Sequence, residues 1–139
     1  MFFFIALLNA LLPAKTTAPQ KIPFTVEVQN IRQLTGSVHI GIFRSCNDFP
    51  GNCTPTDNQI ISANQKNIRA TFLVEPGDYA VAVYQDVNAN GKMDKKMFGI
   101  PKEPYGFSNN FKPMFSGPTF ADCRVRVSAD GKQITIHLL

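Results

Sequence analysis

Asp78-Tyr-Ala-Val-Ala-Val-Tyr-Gln85 is apolar at both odd and even positions. A strand with one wet face alternates apolar with polar residues. One that does not alternate is covered on both faces and sits centrally in its sheet. Pro76-Gly77 is the turn that starts it: Pro presets φ, and Gly supplies positive φ where the turn needs it. At its far end the strand delivers Asp86 to the rim of the domain.

The flanking segments read as strands covered on one face. Phe24-Thr-Val-Glu-Val-Gln-Asn-Ile31 puts Val26 and Val28 inward, and Ser37-Val-His-Ile-Gly-Ile-Phe43 does the same with Val38, Ile40 and Ile42. The short connection through Gln33-Leu-Thr-Gly36 predicts that these two form a hairpin. His39 falls on the outward parity. Arg44 to Asn67 reads as loop, with Ile60 and Ile61 tucked beneath it, and Ile68 to Glu75 as the next strand. Thr119 to Val127 reads as one strand with Cys123 inward, a small buried hydrophobe. Gln133 to Leu139 closes the set with Ile134, Ile136 and Leu138 inward and His137 outward. No helix is expected. The fold class is all-β, an antiparallel β-sandwich of six to seven strands, immunoglobulin-like or prealbumin-like.

Composition agrees. Ten Pro and nine Gly in 139 residues disfavour long helices, and twelve Phe without a Trp make an aromatic core. The net charge of +4 is scattered along the chain, without the concentrated basic face of a nucleic-acid binder. Phe2 to Leu12 is an apolar run too short to span a bilayer and of the length of a signal-peptide core. It lacks a preceding Lys or Arg, and the alternative is a buried N-terminal helix. The expected organisation is a leader over 1–18, a tether over 19–23 and a single domain over 24–139, exported to the periplasm or the exterior. Cys46 and Cys53 flank a turn-rich stretch and are expected to form a disulfide. Cys-x-x-Cys is absent and both His lie in strands, which argues against zinc.

The densest oxygen chemistry follows the central strand. In Asp86-Val-Asn-Ala-Asn-Gly-Lys-Met-Asp94, side-chain oxygens recur at alternate positions, with Gly91 where an EF-hand loop bends. Asp86, Asn88, Asn90, the Lys92 carbonyl and Asp94 are candidate calcium ligands. The twelfth position holds Met97 instead of Glu, so either Glu103 or another oxygen of the Gly99–Asn110 segment folds back to complete the shell, or the site is weak, with Lys92, Lys95 and Lys96 opposing a dication. The alternative for the same residues is a set of Asx-turns. Phe98 to Phe111 carries four aromatics. They either pin the segment to the sandwich or form a ligand platform with Lys102, Tyr105, Phe107, Ser108 and Asn109.

The chain resembles the bacterial family catalogued as domain of unknown function 2141. The resemblance rests on Gly77 to Asp86, the Asp-x-Asn-x-Asn-Gly-Lys-x-Asp loop, Phe98 to Asn110 and Gly117-Pro-Thr-Phe-Ala-Asp122. It covers about residues 24–139. It implies an exported small β-domain of unassigned activity; where the family usually carries His before the first loop Asp, this chain has Gln85. The functional expectation is a non-enzymatic binding or envelope-associated module, with a glycan or envelope component as partner and no membrane span. The alternatives are a small carbohydrate-active or hydrolytic enzyme using Asp86, Asp94 and Glu103, which supplies the paired carboxylates such chemistry needs, and a purely structural surface protein.

Overall fold

A computed structural model describes residues 11–13, 19–88 and 103–139 of the chain. The expected leader, apart from residues 11–13, lies outside the described residues, as do Asn90, Lys92, Asp94 and Lys102.

The described residues form two packed sheets. Strand β1 (Ile22–Gln29) lies between β4 (Ile68–Val74) and β8 (Lys132–His137). The larger sheet runs β3 (Asp57–Ser62), β2 (Ser37–Phe43), β5 (Gly77–Asp86), β6 (Tyr105–Phe107), with β7 (Val125–Val127) also pairing β5. The all-β sandwich expected from the patterning is present.

β5 is central, as its apolar parities require. One face, with Tyr79, Val81 and Val83, enters the inter-sheet core beside Phe24, Phe72 and Ile40. On the other face, Ala80 joins a second cluster of Phe43, Phe49, Phe107 and Cys123. Each fully buried Phe contributes about 1.5–3 kcal/mol of apolar transfer, so the second cluster is a substantial cap on the larger sheet.

Several details depart from the sequence reading. Eight strands form among the described residues where six to seven were expected, and β6 lies in a segment read as loop. β1 and β2 do not form a hairpin: β1 pairs β4 and β8, whereas β2 pairs β3 and β5. Alternation fixes which face a strand buries but not its neighbour, and the connection crosses between sheets. The β1–β8 pairing is parallel. The segment read as loop contains β3, an edge strand whose largely exposed residues leave no burial signal. Finally, Thr119 to Val127 is not one strand. It begins as a one-turn helix, α1 (Phe120–Cys123), and becomes β7 only at Val125. Thr119 and Asp122 form a capping box, a Thr-x-x-acid signal readable in the sequence. The first strand also starts at Ile22, inside the expected tether.

Contacts between the sheets close both sides of the sandwich. Gln59 Nε2 donates to the Thr71 carbonyl at 2.8 Å, linking β3 to β4. Leu139 N–H donates to the Tyr105 carbonyl at 2.8 Å beyond β8, where Gly106 is so close that an added Cβ would press on Ile136 at 2.6 Å.

Candidate functional site

β5 ends in a polar corner at the foot of the Asp/Asn loop. Gln85 is fully buried there. Its amide donates to the Gln33 and Thr35 carbonyls at 2.6 and 2.9 Å, and its backbone N–H donates to the Pro104 carbonyl at 2.9 Å. It therefore ties β5 both to the β1–β2 crossover and to the returning end of the loop. Its Oε1 is buried without a hydrogen-bond partner among the described residues.

Asp86 is 2% exposed and Glu103 is 7% exposed. Glu103 Oε2 accepts from the Val87 N–H at 2.6 Å. Both carboxylates act on the Tyr84 hydroxyl, whose pKa is raised first by burial and then by the charges of Asp86 and Glu103. The His39 ring stacks on Tyr84 with centroids 4.5 Å apart. His39 Nε2 lies 3.1 Å from Ser37 Oγ and 4.0 Å from Asp86 Oδ2. Both partners meet the same ring nitrogen, so Ser37, His39 and Asp86 are not a catalytic relay, in which serine and carboxylate use opposite nitrogens.

Of the six candidate calcium ligands, the described ones are Asp86, Asn88 and Glu103. Asn88 is exposed in the turn after β5, and Glu103 returns to that turn. Among the described residues no group of three His, Cys, Asp or Glu is arranged around a common metal position.

The four described platform candidates divide into two pairs. Tyr105 and Phe107 stand on β6 opposite Tyr84 and Ala82. Ser108 is buried: its Oγ accepts from the Val81 N–H at 2.9 Å and donates to the Cys123 carbonyl. Asn109 adopts a left-handed φ of 61° and donates to the Asp122 and Arg124 carbonyls at 3.2 and 3.0 Å. These two polar side chains fasten β6 to α1.

The outer face of the larger sheet carries a groove of about 800 Å³ that the sequence reading did not single out. Its floor is Gly41 and Ala82, cross-strand neighbours on β2 and β5. Rings of Phe43, Tyr84, Tyr105 and Phe107 stand around that floor. The disulfide loop, through Pro50 and Pro55, forms one wall and Pro113 to Pro118 another. Small outward residues flanked by outward aromatics on adjacent strands were the readable signal, but they needed the β2–β5 register to be recognised.

The model of a family described as an uncharacterized protein conserved in bacteria (DUF2141) matches residues 26–135. The chain belongs to this family. No curated protein and no solved structure matches it. The matched span reaches from within β1 to within β8, so it takes in the corner and the groove of this DUF2141 member. The Cys46–Cys53 disulfide is formed. Cys123 is free and buried, and burial, with Asp122 adding to it, pushes its thiol up to about 12. No helix among the described residues is long and apolar enough to cross a membrane.

Proposed function

We infer that this DUF2141 member is an exported, non-enzymatic binding module of the bacterial envelope whose Asp86–Asp94 loop holds a calcium ion. In this reading residues 1–18 are a leader and 19–23 a tether. Asp86, Asn88, Asn90, the Lys92 carbonyl, Asp94 and Glu103 supply the oxygens. The observation that carries it is the return of Glu103 to the Val87 N–H at 2.6 Å. It draws a second buried carboxylate to the foot of a loop that already begins with one, and hard cations select such oxygen sets. The disulfide supports an oxidising compartment. Against the hydrolytic alternative, Glu103 is committed to a backbone donor, and the ion orders the loop without an open position for chemistry.

Thermal melts of the full chain in calcium and in chelator test this reading. At calcium one hundred times the dissociation constant, binding to the folded state alone adds about 2.7 kcal/mol. That corresponds to a rise on the order of 10 °C for a domain of this size. The rise should vanish when Asp86 and Asp94 are both replaced by Ala. An identical midpoint in calcium and chelator overturns the calcium assignment.

A further inference from the structure

We propose that the groove on the outer face of the larger sheet is the ligand site, and that its ligand is a neutral oligosaccharide. The proposal rests on the reading of the chain as a binding module but not on the calcium loop. Three features of the groove select the chemistry.

The first is shape. Gly41 and Ala82 leave a trough among larger aromatic side chains, with about 800 Å³ to fill, within the usual range for small-ligand sites. The second is charge. No Asp, Glu, Lys or Arg is found among the described lining residues, although the chain carries 24 of them, 14 basic and 10 acidic. A charged ligand would meet no Asp, Glu, Lys or Arg among those described residues to offset its desolvation. The third is the mixture of surfaces. Aromatic walls supply flat apolar faces, while Tyr84, Tyr105, His39 and the exposed Asn58 among the lining residues carry hydrogen-bonding groups.

A sugar ring has this same duality, an apolar C–H face bordered by hydroxyls. An acyl chain would leave the polar groups of the groove unpaired, which is costly. A proline-rich peptide is the nearest competitor, because such segments dock on aromatic-lined grooves. It uses few donors and acceptors, whereas this groove carries both on its walls, at His39, Tyr84 and Tyr105, and at the β3 rim, at Asn58.

The test is a titration of the full chain, followed by calorimetry and by backbone amide shifts, with cellohexaose, maltohexaose, chitohexaose and mannohexaose. Hexagalacturonate and a proline decapeptide serve as contrasts. The proposal predicts saturable binding of at least one neutral hexaose, with shifts concentrated on β2, β5 and β6. Tyr105→Ala removes a stacking wall and should weaken binding about two- to tenfold. Asn58→Ala, at an exposed rim position, should weaken it by a similar factor through a lost hydrogen bond. Ala82→Leu fills the floor and should abolish binding, with a thermal melt confirming that it is folded.

No binding of any neutral hexaose, equal or tighter binding of hexagalacturonate, or affinities untouched by both Asn58→Ala and Tyr105→Ala would overturn the proposal. Binding of the proline peptide alone, with shifts in the groove, rejects the sugar and leaves the binding-module reading standing. If no probe binds, the groove assignment falls as well.

Discussion

Glu103 meets the Val87 N–H across a gap of sixteen residues in sequence, and a half-buried backbone donor stripped of its carboxylate partner costs about 1–3 kcal/mol. Glu103→Ala should therefore lower the unfolding free energy by that amount, and the urea midpoint with it, in chelator and before any ion is considered. An unchanged midpoint would mean that the carboxylate is not an anchor. Cys123 gives a pH dependence of known sign. The fold holds its thiol neutral up to about 12, while the unfolded thiol ionises near its ordinary value of about 8.5. The resulting stability is intact below that ordinary value and is lost as pH rises toward about 12. Wild type should lose more stability than Cys123→Ala between about pH 8 and pH 10, and a thiol reagent should not react with the folded protein at neutral pH. The inertness of Cys123 was legible from its position between inward residues. The structural roles of Ser108 and Asn109 were not, because their partners, Val81, Cys123, Asp122 and Arg124, are distant in sequence.

At the scale of elements, the β1–β2 crossover is fixed at its last residue. Gly36 has a φ of 70°, and a Cβ there would overlap the Asp86 carbonyl oxygen. The left-handed conformation alone costs an Ala about 1–2 kcal/mol, and the overlap adds to it. Gly36→Ala should therefore lower the unfolding midpoint by more than Gly117→Ala, where an added Cβ meets nothing. Equal midpoints would contradict the close approach of the crossover to β5. What the sequence made legible followed burial. β5 was readable because both of its faces are covered. β3 was missed because one face is exposed and the other only half covered, by Gln59 and Ile61, and the hairpin was misjudged because alternation carries no information about partners. α1 was missed although Thr119 and Asp122 spell its cap, because the inward parity of Cys123 suited a strand equally well.

For the whole molecule, the sandwich places the two proposed sites on one sheet. The polar corner closes one end of β5, with Gln85 on the parity of the main core and Asp86 on the opposite one, and the groove lies over the outer face of its middle. The cap formed by Phe49, Phe107 and Cys123 makes this arrangement possible, since it buries one end of the outer face and leaves the Gly41–Ala82 floor open. Spacing alone suggested a cation motif at Asp86 with Glu103 among the groups that would complete it; of that expectation the described residues show the contact of Glu103 with the Val87 N–H. The groove was not legible, because it depends on strand register. The central claim, that the loop binds calcium, is tested most directly by calorimetric titration of the metal-free full chain with calcium. The account predicts saturable heat for a single ion per chain, lost in Asp94→Ala under conditions where that variant remains folded. Absence of saturable heat, or the same heat in Asp94→Ala, would contradict it.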